Sequence, residues 1–161
     1  MYKITNTGFR CTILEYYLRK IQFKENLTNK YKKMSTNLVT AFNDHFLEFV
    51  TDIQSVFPDD PDILTAKNAL MTIRKANPKL LVKIWTKYVY APYKTQIEAG
   101  DINFFLTKDY SSDLHTTDNS DKIMESIDRL RAPVKNMSPE NQAKTMKYIQ
   151  NLSKLSTLIP Q

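Results

Sequence analysis

A chain of 161 residues, 42% hydrophobic and 25% charged, is long enough for one domain with a buried core. Its two glycines, Gly8 and Gly100, are too far apart for a phosphate-cradling loop, and glycine-dependent hairpin folds are disfavoured with them. Cys11 alone makes no internal disulfide, His45 and His115 are too few for a structural zinc site, and no apolar run approaches the roughly 18–20 residues that span a bilayer.

The first 33 residues hold eight basic and two acidic side chains, net +6, and can form an amphipathic helix with Ile13, Leu14, Tyr17, Leu18 and Ile21 on one side. Ser35 or Thr36 can cap the next helix, whose Leu38, Phe42, Phe46, Phe49, Ile53 and Val56 recur every three or four residues. Phe57-Pro58 ends it. Asp60-Pro61 then opens a helix with Ile63, Ala66, Leu70 and Ile73 inward, and Asn77-Pro78 opens another with Leu80, Leu81, Ile84, Trp85 and Tyr88 inward. Pro92 is expected to interrupt that helix, and Gly100 to stop the segment after it. Asp101 caps a short helix carrying Ile102, Phe105 and Leu106. Residues 107–121 read as a long polar loop. A helix from about Asp121 turns Ile123, Ile127, Leu130 and Val134 inward and bends or ends near Pro133. Ser138-Pro139 starts the last, with Met146, Ile149, Leu152, Leu155 and Ile159 buried. The expected fold is all-α, a single-domain bundle of five to seven helices.

Charge alternates in blocks after residue 33. Residues 34–62 are net −6, 67–94 net +7, 98–125 net −5 and 128–154 net +4, so that 34–161 is neutral as a whole. Such blocks favour lateral pairing of helices, within one chain or between copies, and also describe solvated faces that merely alternate. The step at 33/34 divides the chain into a basic amphipathic extension, 1–33, and an all-α domain, 34–161. Three readings of the extension stay open: an arm for nucleic acid or an anionic membrane surface, a targeting presequence, and a segment preceding the native start at Met34.

No arrangement of residues argues for catalysis, and none calls for a cofactor or metal. Asp44 and His45 are helix neighbours whose side chains diverge by about 100°. His115 stands among loop acids without a preorganised set of ligands. The candidate binding feature is a ridge of Lys75, Lys79, Lys83, Lys87 and Lys94, with Tyr90 beside Lys83 and Tyr93 near it. It either tracks phosphates, with a tyrosine stacking on bases, or faces the acidic helix 34–62. Trp85 is expected in the core. In Ile102-Asn103-Phe104-Phe105-Leu106 there is more apolar bulk than one short helix face hides, which makes Phe104 a candidate interface anchor and leaves Phe105 to the core.

Three stretches, FNDHFLEFVTDIQSVFPDDPDILTAKN at 42–68, KIWTKYVYAPYKTQIEAGDINFFLTKDYSSDL at 83–114 and the segment from ESIDRLRAPVKNMS to YIQNLSKLS, resemble uncharacterised small helical proteins of nucleocytoplasmic large DNA viruses. The resemblance covers about residues 34–156 and carries no catalytic motif. It implies a viral protein of the virion or of the viral factory in the host cytoplasm, not a secreted one. The expected function is non-enzymatic: helix-mediated contacts with protein partners, a second copy included. The alternative is a nucleic-acid-binding accessory protein using the 67–94 ridge, the N-terminal arm or both.

Overall fold

The computed structural model describes residues 8–108 and 121–160, with side chains from residue 16 in the first helix and from residue 125 after the gap. The polar segment expected at 107–121, with His115, falls largely outside the described residues, as does the side chain of Ile123. Every regular element among the described residues is helical: α1 Gly8–Val56, α2 Pro61–Ala76, α3 Pro78–Ile84, a π-helical segment Trp85–Tyr90, α4 Ala91–Ala99, α5 Ile102–Thr107, α6 Asp121–Arg129, α7 Arg131–Lys135 and α8 Pro139–Leu158. Counted as rods, with α3 to α4 one run and α6–α7 another, these make six. The all-α bundle is what the periodicity predicted.

The chain divides into two units, Met1–Asn37 and Leu38–Gln161. Ser35 and Thr36 cap nothing, contrary to expectation. Both lie inside α1, and Thr36 Oγ1 donates to Lys32 O at 3.0 Å. The reason is compositional. Between Gly8 and Pro58 the sequence has neither glycine nor proline, so nothing breaks the backbone ladder, and a hydroxyl inside a helix bonds back to the preceding turn. Phe57, disfavoured in the α region by the proline after it, follows the last helical residue.

In the second unit, α1 contributes Val39, Phe42, Phe46, Phe49, Val50 and Ile53 to the core. Val56 is 39% exposed, at the end of the stripe rather than inside it. Asp60 caps α2 by accepting from the Asp62 and Ile63 amides at 2.9 and 3.2 Å, and Pro61 sits in the first turn. Ile63, Ala66 and Leu70 are buried, with Ile73 packed at their edge. Asn77 both closes α2, its amide donating to Ile73 O, and precedes Pro78 of α3, but its side chain makes no capping bond.

Pro92 interrupts the regular helix, as expected, through a widened turn and a kink rather than a stop. It offers no N–H to Tyr88 O, and its ring would press on that carbonyl in a continuous α-helix. The turn before it widens instead: Ala91 N–H donates five residues back, to Thr86 O, and Pro92 falls in the first turn of α4, where an amide needs no partner. Tyr93 carries the kink at φ −119°, ψ 21°. Gly100 ends α4 at φ 71°, ψ 27°, with its own amide donating to Ile97 O and that of Asp101 to Gln96 O, a Schellman closure. The break between α6 and α7 falls at Leu130, ahead of the expected bend near Pro133, which itself sits in the first turn of α7. Ser138 caps α8 through the Asn141 amide. Met146, Leu152 and Ile159 are buried as expected, while Ile149 and Leu155 are half-buried.

The centre of the bundle is aromatic. The Trp85 ring meets Phe46 edge-on at 5.4 Å and Phe42 at 6.2 Å, and its indole N–H donates to the buried Ser153 hydroxyl of α8 at 3.1 Å. Asn43, also buried, donates to Val39 O and to Pro78 O, tying α1 to the start of α3.

Candidate functional site

The structure distributes the ridge lysines over four elements. Lys75 lies in the last turn of α2, Lys79 and Lys83 on α3, Lys87 on the π-helical segment and Lys94 on α4, and all five are exposed. Lys94 Nζ stands 3.8 Å from Glu98 of its own helix, and Lys87 Nζ lies 4.8 Å above the Tyr88 ring. Lys75, Lys79 and Lys83 have no ion-pair partner among the described residues. The acidic block 34–62, which the structure divides between α1 and the start of α2, is largely occupied elsewhere. Asp44 pairs with Arg74, Asp62 with Arg129 of α6 at 2.6 Å, and Asp52 with Lys144 of α8 at 2.6 Å. Among the described residues, ion pairing of the basic block with 34–62 is therefore confined to Arg74, with Lys67 bonded to Gln54 Oε1 nearby. Of the two tyrosines offered for base stacking, Tyr90 is half-buried against the core and Tyr93 is 8% exposed, which removes it.

Phe104 is half-buried, as expected of a candidate anchor, and so is Phe105, which was expected in the core. Their rings stand edge-on at 5.3 Å and both touch Tyr93. No side chain of α5 is fully buried, although four of its six residues are large and apolar. The helix has fewer than two turns: Ile102, Phe105 and Leu106, at i, i+3 and i+4, share one face, and Phe104 lies off it.

Beside α5 lies a feature that sequence reasoning missed, a cavity of about 100 Å³. Its walls are Phe46 and Phe49 of α1, Trp85, Tyr88 and Val89 of the π-helical segment, Tyr93 of α4, Ile102, Phe105 and Leu106 of α5, and Ile127, Leu130, Val134 and Ile149 from the later helices. The polar lining residues are Thr145, whose hydroxyl faces Met137 Sδ at 3.8 Å, and Asp128 with Arg131, whose carboxylate and Nε stand 3.2 Å apart. The aromatic run at 102–106 was the one local sign of it.

A second polar cluster joins α1 to α8. Tyr148 donates to Asp52 Oδ2 at 2.8 Å, and Lys144 Nζ approaches the same oxygen. The Lys144 bond, then the Tyr148 bond, hold the Asp52 carboxyl below its ordinary value of 3.8. Lys144 is raised in turn, chiefly by its bond to Asp52, and burial first, then that same carboxylate, lifts the Tyr148 hydroxyl far above the ordinary tyrosine range. His45 stacks on the Tyr148 ring at 4.9 Å and places Nδ1 3.1 Å from Glu48, while its neighbour Asp44 turns to Arg74. The two side chains diverge, as their adjacency in a helix requires. Among the described residues no three His, Cys, Asp or Glu side chains converge as metal ligands, and no helix is long and apolar enough to cross a membrane. No family model, no curated protein and no solved structure matches the chain.

Proposed function

We propose that the protein acts without catalysis of its own, by helix-mediated contacts with protein partners, a second copy of the chain among them. One observation carries this reading: eight large apolar side chains of α1, from Tyr16 through Tyr17, Leu18, Ile21, Phe23, Leu27 and Tyr31 to Met34, are each 37–66% exposed. Apolar surface on that scale marks a contact surface. Arg19, Lys20, Lys24, Lys30, Lys32 and Lys33 interleave with them against Glu25, so the complementary face is apolar with an acidic rim. The half-buried α5 supplies Phe104 as a second anchor. The proposed place of action, a virion or a viral factory in the host cytoplasm, rests on the resemblance of residues 34–156 alone.

Light scattering across a salt series tests this. The expected result is an oligomer at low salt that dissociates as salt rises and that Phe23→Ser with Leu27→Ser abolishes. A monomer at every salt concentration, or an oligomer that survives that double substitution, overturns self-association through this surface.

A second reading, nucleic-acid binding, is favoured by Lys75, Lys79 and Lys83, exposed cations without carboxylate partners among the described residues. Each phosphate contact contributes roughly 0.9 to the slope of log affinity against log salt. If the ridge binds duplex DNA, Lys75→Gln with Lys79→Gln and Lys83→Gln flattens that slope by about 2–3. An unchanged slope removes the ridge from the account.

A further inference from the structure

We propose that the cavity bounded by the π-helical segment, α5 and α8 is a binding site for a small neutral molecule built on one aromatic ring. Its volume of about 100 Å³ is of the order that admits one such ring, since an engineered apolar cavity of roughly 150 Å³ stays dry and takes up benzene. The polar lining is sparse: the Thr145 hydroxyl faces Met137, and Asp128 Oδ1, 3.2 Å from Arg131 Nε, is a buried oxygen that receives no hydrogen bond, fewer polar partners than the two to four an ordered water needs. The walls suit a ring: Trp85, Phe46, Tyr93 and Phe105 present edges and faces from separate helices, the arrangement in which aromatic groups attract edge-to-face. The two charged lining residues, Asp128 and Arg131, form an ion pair and carry no net charge between them, which suits a neutral ligand over an ionised one.

Interiors normally close to crystal-like density, and a void in a wall of flexible aromatic side chains is ordinarily filled. Here Trp85, Val89 and Tyr93, at i, i+4 and i+8, line one side of the site along a helical run that carries the wide turn before Pro92 and the kink at Tyr93.

Trp85 is the only tryptophan of the chain and lines the site, so its emission reports occupancy. Iodobenzene, a heavy-atom quencher of the right size, is titrated into the full chain, with benzene as competitor. The expected result is saturable quenching of at least twofold, reversed by benzene, with a melting temperature that rises with ligand concentration. Val89→Phe fills the cavity and abolishes the saturable phase while emission stays that of a buried indole. Ile149→Phe, at a half-buried lining position, does the same should Val89→Phe not fold. Quenching linear in iodobenzene and no steeper than for free tryptophan amide overturns the proposal. So does saturable quenching that survives both substitutions.

Discussion

Gly100 and Asp52 each perform a task that no other residue type would perform as well in place. At φ 71° a side chain brings Cβ against the adjacent carbonyl, a cost of about 1–2 kcal/mol, and a Cβ on Gly100 would also stand 3.4 Å from Gln150 Nε2. That amide donates to Ile97 O at 2.9 Å, finishing the end of α4 from a different helix. Gly100→Ala is therefore expected to lower stability by about 1–2 kcal/mol in urea unfolding, with the helical spectrum unchanged. Asp52 receives a tyrosine hydroxyl and a lysine on one carboxylate, and Asp52→Asn is expected to cost about 1 kcal/mol at neutral pH. The carboxyl is lowered in the folded state, so its contribution is full above the ordinary value of 3.8 and disappears as pH falls through the folded value. Wild type and Asp52→Asn should accordingly converge in stability as pH falls below the ordinary carboxyl value of 3.8. At the alkaline end Tyr148 and Lys144 are both raised, so their contributions are whole below about pH 10 and fade above it. Tyr148→Phe should flatten that alkaline limb in the same unfolding series.

Among the elements, two helix starts written alike behave differently. Asp60-Pro61 and Asn77-Pro78 carry the same signal, a capping residue before a proline. Asp60 accepts two amides, whereas Asn77, at φ −152°, ψ 88°, accepts none because its backbone is engaged in closing α2 as α3 begins. Asp60→Ala should then cost about 1 kcal/mol and Asn77→Ala only a few tenths, measured as a pair by thermal unfolding. Periodicity and proline placement were enough to read where α2, α3, α5, α6 and α8 begin. They did not show the π-helical turn, since a proline announces that a regular helix is impossible without saying whether the chain will stop or widen. Nor did they show the unbroken α1, because hydroxyl residues that cap helices in one context bond back along them in another. Thr36 does the latter.

At the scale of the molecule, charge blocks are legible in a sequence but pair partners are not. Asp62 meets Arg129 across 67 positions and Asp52 meets Tyr148 across 96, distances that only the packing of helices resolves. For that reason opposite blocks at 34–62 and 67–94 suggested a pairing that the fold mostly makes with α6 and α8 instead. The cavity is illegible for a related cause: its lining runs from Phe46 to Ile149 with no local repeat. One arrangement also bears on the order of events in the cell. From α8 come the hydroxyl that receives the Trp85 indole, the phenol on Asp52, and the glutamines that finish other helices, Gln150 at α4 and Gln142 on the carbonyls of Val134 and Lys135. Of the described helices, α8 is the last that a ribosome makes. At 5–20 residues per second the preceding helices wait, with their aromatic faces uncovered, until it arrives. The tertiary fold of the second unit is thus completed only once α8 has been made.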